Sequence, residues 1–302
     1  MPELAVVAVD DAEVGLWVQL RNAVEPQFPA TADGVRLHRR HEPTARHVLA
    51  LVDGDAVGVG VASEQGDLRS TDVAVAFFGV LRQYRRRGVG SALYRALSEH
   101  ARTIGKARLQ IDLWEDEHDG RVYLERRGFV EVERFARVRL ELADAVVPAA
   151  VAPPGVELVP LAGHTHLARS MYETALEAYG DMPSTDPIES TFEDFRGREI
   201  ERPDVRADLS ILALAEGEVI GFGTIDMHGD EGFNSLTAVR RSWRRRGVAS
   251  AIKRAQIEAA TAAGLTSLTT FSEKRNIPMR TLNERLGYRP LPDQLRLRGP
   301  LA

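Results

Sequence analysis

Short apolar runs and amphipathic stretches alternate along this chain, and the alternation is written twice. RHVLALV (46–52) and AVGVGVA (56–62) flank Asp53-Gly54. Apolar runs of strand length around such a pair predict a hairpin. LSILALA (209–215) and VIGFGTI (219–225) flank Glu216-Gly217 in the same way. A third strand follows in each place, VAVAFFGVL (73–81) and FNSLTAV (233–239). Val89, Leu93, Leu97, Ala101 and Ile104 then recur at helical steps, as do Val248, Ile252, Ala255, Ala259 and Ala263. Gly105 and Gly264 stand where a glycine ends a helix. Another strand, ARLQIDLW or LTSLTTF, leads to a short helix and a Gly-Phe or Gly-Tyr turn. Stretches 10–25 and 164–180 predict an early helix in each copy.

Two landmarks share one offset: Gly247 follows Gly88 by 159 positions (247 − 88), and Gly287 follows Gly128 by 159 (287 − 128). A shared offset indicates a duplicated α/β domain. VVPAAVAPPG (146–155), uncharged and rich in proline and alanine, predicts the linker. The division expected is therefore 1–145, a linker at 146–155, and 156–302.

Between the third strand and the central helix lies YRRRGVGSAL (84–93), repeated as WRRRGVASAI (243–252). First-turn amides of a helix lack internal partners, and the helix dipole adds positive charge there. Glycine lets such a loop gather several N–H groups on one anion, so a phosphate or pyrophosphate site is expected. The whole chain carries a net charge of −5 and only three lysines, Lys106, Lys253 and Lys274. Local arginine clusters in an acidic protein suit a small anionic ligand better than nucleic acid. The chain has no cysteine, which excludes disulfides, thiolate metal sites and a cysteine nucleophile. The N-terminal stretch lacks a signal-peptide pattern and no apolar run reaches membrane-span length, so a cytoplasmic location without membrane association is expected.

Arg85-x-x-Gly88-x-Gly90 and Arg244-x-x-Gly247-x-Ala249 resemble the acyl-CoA loop of the GCN5-related N-acetyltransferases. The resemblance extends to the ERRGF and ERLGY turns and to the element order in both halves. It implies two tandem acyltransferase domains of mixed α/β fold using acetyl-CoA. The pantetheine arm is then expected against Val80 and Leu81, or Ala238 and Val239. The pyrophosphate is expected at Arg85, Arg86, Arg87, Gly88, Val89, Gly90 and Ser91, and at Arg244, Arg245, Arg246, Gly247, Val248, Ala249 and Ser250. In that family a tyrosine four residues before the Gly-Phe turn often protonates the departing thiolate. Here Asn283 or Leu124 holds that place, and Asn276 matches the asparagine seven residues earlier. Tyr123 is one residue early, roughly 100° round a helix, and is expected to pack. Copy two keeps more of the pattern, so Asn276 and Asn283 are the expected catalytic residues, with copy one a structural or CoA-holding half.

Asp226, His228 and Glu273 are candidate bases at strand ends, and Glu173, Glu177 and Asp181 a candidate acceptor wall beside Tyr172 and Tyr179. The acidic segment 179–195 sits where an acceptor loop belongs. The histidine pairs His38/His41 and His164/His166 gather no third ligand, so no metal is expected. The expected activity is transfer of an acetyl group to the amine of a small molecule by direct attack. The alternatives are a non-catalytic CoA-binding module for sensing or interaction, and a transferase that uses another acyl group or a protein N-terminus.

Overall fold

The computed structural model describes residues 3–64, 68, 71–145, 147–228 and 230–302, with the His228 side chain outside the description. It forms two compact units, one of residues 1–133 with 295–302, the other of residues 134–294. These are not the two contiguous halves of the sequence. Residues 134–145 belong with the second unit and 295–302 with the first.

Unit 1 runs β1 (Leu4–Ala8), α1 (Val14–Val24), α2 (Ala32–His41), β2 (Arg46–Val52), β3 (Asp55–Ser63), β4 (Val73–Val80), α3 (Val89–Thr103), β5 (Arg108–Trp114) and α4 (His118–Glu125). Its strands lie in the order β1-β2-β3-β4-β5, and the next neighbour of β5 is the last strand of the chain, β13 (Gln294–Pro300). Strand β1 and helix α2 were not in the sequence expectation. The first lies edge-on to β2 with Leu4 opposite Val52, and its half-buried side chains give a weak apolar signal.

β2 and β3 form the expected hairpin, with Asp53 and Gly54 both left-handed (φ 52° and 88°). β3 and β4 stay antiparallel without a register shift from Val75 to Val80. β4 and β5 are parallel but pair only from Val73 to Val75, so their later residues diverge. Leu93, Leu97 and Ala101 of α3 are fully buried against this sheet. Burying each leucine stabilises the unit by roughly 1.5–3 kcal/mol.

Unit 2 repeats the plan with β7 (Glu157–Pro160), α5 (Ala168–Tyr179), α6 (Phe192–Arg196), β8 (Ile211–Ala215), β9 (Glu218–His228), β10 (Glu231–Val239), α7 (Val248–Ala262), β11 (Ser267–Glu273), α8 (Ile277–Arg285) and β12 (Arg289–Pro290). Its sheet order is β7-β8-β9-β10-β11, and β11 pairs antiparallel with β6 (Val130–Glu141) from Phe135 to Glu141. Each repeat's sheet is thus completed by a strand from the other half of the sequence. The buried face of α7 is Val248, Ile252, Lys253, Gln256, Ile257 and Ala260 rather than the stripe through Ala255, Ala259 and Ala263. An alanine-rich helix offers several equally apolar stripes, and here packing selects one that includes a lysine and a glutamine. Among the described residues no helix is long and apolar enough to cross a membrane.

Candidate active site

The two arginine–glycine loops have one backbone. Each follows a short 3-10 turn, Arg82–Tyr84 or Arg241–Trp243. Arg86 and Arg245 are left-handed (φ 64° and 60°), as are Gly88 and Gly247 (φ 87° and 86°), and α3 and α7 start on the next residue. Alternating hands turn successive N–H groups to one side, which makes an anion-binding concavity. A Cβ at Gly88 meets nothing within 4 Å, so the dihedral rather than space demands glycine. Arg85 Nε donates to Val80 O at 3.2 Å and Arg244 Nε to Val239 O at 3.0 Å, tying each loop to its strand. Val89 and Val248 are buried, whereas Arg86, Arg87, Arg245 and Arg246 are exposed.

In unit 1 this loop opens on a cavity of about 510 Å3. Its walls are the diverging ends of β4 and β5, the end of α1, and α4. Leu81 N donates to Val57 O, so Leu81, Gly79 and Phe77 spend their polar groups on β3. By the alternation of an antiparallel ladder, Phe78 and Val80 turn their N–H and C=O groups the other way, toward the gap. Both residues line the cavity. A Cβ on Gly79 would come within 2.6 Å of Val24 Cγ2, so glycine there lets α1 close over the strand and present Glu25.

Glu25 is mostly buried. Its Oε1 accepts from Trp114 Nε1 at 3.0 Å and its Oε2 lies 2.6 Å from Arg21 Nη2. Burial pushes its carboxyl up, although Arg21 and Trp114 act in the opposite direction. Asp112 and Glu117 stand close enough to push it further up. No feature of the sequence marked Glu25 as functional.

Tyr123 packs against the unit 1 core, as expected, but it does not point away from the loop. Its side chain lines the cavity and lies against the loop: a Cβ on Gly90 would sit 3.8 Å from its ring. Arg127 stacks on the ring at 3.5 Å from the centroid and donates to Ser91 Oγ at 3.0 Å. The Tyr123 hydroxyl is buried and has no hydrogen-bond partner. A buried donor left unmade is costly, of the order of 1–3 kcal/mol. Leu124, in the place of the family tyrosine, packs in the core instead.

Unit 2 keeps the loop but differs around it. Between Asn234 and Thr237 the pairing of β10 with β9 shifts register, a bulge that β4 lacks, and Leu236 N there donates to Thr224 Oγ1. Asn276 caps α8, accepting from Met279 N at 3.3 Å. Asn283 is enclosed: Nδ2 donates to Ser272 Oγ at 3.4 Å, while Oδ1 is buried without a partner. Tyr288 donates to Asn234 Oδ1 at 2.7 Å, and Asn234 donates to Gln256 Oε1 at 3.1 Å. Capping and burial engage the two asparagines of the sequence expectation in structural contacts.

Asp226, Glu273 and the candidate wall of unit 2 are also engaged, and the His228 side chain lies outside the described residues. Asp226 is buried against Arg202, and burial pushes its carboxyl up to about 7. Glu273 accepts from Arg275 N and Nε. Glu177 accepts from Arg241 N at 2.7 Å, Asp181 bridges Arg241 (2.7 Å) and Arg244 (2.6 Å), and Arg240 lies 3.8 Å from Glu173. Tyr172 donates to Ser190 O, and Tyr179 accepts from Arg198. Of the expected acceptor wall, Asp181 therefore contacts the loop at Arg244, and Glu173 and Glu177 contact Arg240 and Arg241 just before it. Among the described residues no group of three or more His, Asp or Glu is placed to hold a metal ion.

The sequence matches the model of the acetyltransferase (GNAT) family twice, over residues 16–129 and 168–288. A search of curated proteins finds no match. Among solved structures, a tandem GNAT protein from the clavulanic acid biosynthesis pathway superposes with a TM-score of 0.79 at 18% identity, covering 99% of each chain. A GCN5-related N-acetyltransferase from Sphaerobacter thermophilus gives 0.73 at 20% identity, covering 99% of this chain and 96% of that one. An acetyltransferase from Pyrococcus horikoshii, described as putative, gives 0.64 at 17%, covering 98% and 89%. With both repeats matched by one family model and laid out on the same α/β plan, the chain belongs to the GNAT acetyltransferase family as a tandem, two-domain member.

Proposed function

We propose that unit 1 is the catalytic half and that it transfers an acetyl group from acetyl-CoA to the primary amine of a small molecule. The observation that carries this is the cavity: it begins at the amides of Arg86 to Ser91 and continues between the diverging strand ends past Phe78, Val80 and Tyr123. The loop amides and Arg85 hold the diphosphate, and Phe78 and Val80 offer backbone groups to the pantetheine arm. The Tyr123 hydroxyl, which lacks a partner, and the Phe78 and Val80 N–H groups turned away from β3 are the groups that the cofactor would satisfy. The thioester supplies an activated acyl carbon and a thiolate leaving group. Every remaining task falls to the chain.

A strand N–H stabilises the negative charge that develops on the acyl oxygen, an interaction usually worth several kcal/mol in a dry site. Tyr123 donates the proton that the departing sulfur needs. Glu25 takes the proton from the amine, its burial raising its basicity. The acyl group passes directly to the amine, and a cysteinyl intermediate is excluded because the chain has no cysteine.

In unit 2 Asp181 ties down the side chains of Arg241 and Arg244, and Glu177 accepts from Arg241 N, so carboxylates already compensate the positive charge at the start of that loop. Unit 2 is therefore the non-catalytic half, and its loop binds CoA weakly or not at all. Release of CoA thiol from acetyl-CoA over a panel of amines tests the assignment with Gly88→Glu and Gly247→Glu. Loss of turnover in the first alone supports it, and loss in the second alone returns the chemistry to unit 2.

A further inference from the structure

The cavity of unit 1 is electrically polarised along its length. At one end stand the loop and Arg85, Arg126 and Arg127. At the other, Glu25, Asp112, Glu117 and Asp119 line the wall. Helix α4 joins the two ends, with Glu117 and Asp119 at its start and Arg126 and Arg127 just past its finish.

The acids at the far end are not equivalent. Glu25 is paired with Arg21 and Trp114. Asp112 is held at both oxygens by Arg296, at 2.9 Å each. Glu117 and Asp119 have no ion-pair or side-chain hydrogen-bond partner among the described residues. Glu117 is half-buried and Asp119 exposed. Two uncompensated carboxylates therefore stand at the start of α4, with Arg126 and Arg127 past its opposite end. Such a wall repels a carboxylate and attracts a cation.

Resting on the assignment of acyl transfer to unit 1, we propose that its acceptor is a small dicationic amine without a carboxylate. The reacting nitrogen lies beside Glu25, and the second ammonium is held by Glu117 and Asp119. The size of the cavity agrees: about 510 Å3 must also admit the end of a pantetheine arm, which leaves room for a short chain rather than a folded polypeptide. The Trp114 ring, backed by Phe28 stacked on it at 5.7 Å, gives the methylene chain an apolar wall.

The test compares three acceptors of equal length: a four-carbon diamine, the four-carbon monoamine and the four-carbon ω-amino acid. Acetyl-CoA is held constant and thiol release is read. The expected order of kcat/KM is diamine, monoamine, amino acid, with steps of up to about five-fold, as expected for gaining or losing one contact between partly exposed charges. In Glu117→Gln/Asp119→Asn the diamine-to-monoamine ratio falls toward one, through KM rather than kcat. Preference for the amino acid, or a ratio that the double variant leaves unmoved, overturns the proposal. Calorimetric titration with CoA and then with the diamine separates the two levels. CoA binding without diamine binding removes this acceptor while the transferase assignment stands, and failure to bind CoA removes both.

Discussion

The loops of the two units are nearly superimposable in backbone angle, yet their surroundings differ. In unit 1 the loop faces a cavity with an unpartnered tyrosine hydroxyl. In unit 2 it faces Asp181 and Glu177, and the helix position next to the strand gap holds an enclosed asparagine. A duplicated binding loop is preserved by glycine dihedrals and a helix start. Whether it has a use depends on side chains elsewhere in the fold, and those differ between the two copies.

The most damaging way to break the comparison is to remove residues 295–302. Leu295 and Leu297 are buried in the core of unit 1, and Tyr94 donates to Pro300 O at 2.7 Å. Each lost leucine costs about 2–5 kcal/mol. The truncated chain is expected to lose the melting transition of unit 1 and CoA binding, while the remaining transition by calorimetry reports unit 2. Retained CoA binding would move the cofactor to unit 2.

Next in size is Gly88→Glu, which combines a strained positive φ with a negative charge at the proposed phosphate site. A loss of more than about a hundred-fold in kcat/KM is expected, against less than about five-fold for Gly247→Glu. Tyr123→Phe should lower kcat by roughly ten- to a hundred-fold with little change in the KM for acetyl-CoA. An equal loss in Asn283→Ala would erase the distinction between the units.

Two smaller effects sharpen it. Asp181→Asn frees Arg241 and Arg244, and titration with CoA should then show a second, weak binding event. The Asp181 carboxyl is held down at about 2 by those arginines. The contact is therefore complete at neutral pH and is lost only as pH falls from the ordinary carboxylate range through about 2. Finally, the acid limb of kcat/KM should lie above the ordinary carboxylate range, because burial raises Glu25, and it should vanish in Glu25→Gln.

Much of this plan was legible in the sequence. The Asp53-Gly54 and Glu216-Gly217 hairpins, the loop glycines and the shared offset all depend on local backbone rules, which a sequence states directly. Tyr123 was not legible, because a motif counts positions from Gly128 while the helix turns its side chains by packing. Here Leu124 goes to the core and Tyr123 to the gap. Glu25 was hidden because its environment is made by Trp114, far along the chain. The exchanged strands were hidden for a related reason. The apolar alternation of β6 and β13 looks the same whichever sheet they complete, and pairing is decided by contacts remote in sequence.

That exchange also sets a schedule for synthesis. The ribosome delivers Glu133 early, but Leu295 emerges only 162 positions later (295 − 133). At about 5–20 residues per second the amino-terminal unit waits roughly ten to thirty seconds with one sheet edge unpaired. During that interval β5 is open to the wrong partner, including the equivalent edge of a neighbouring nascent copy.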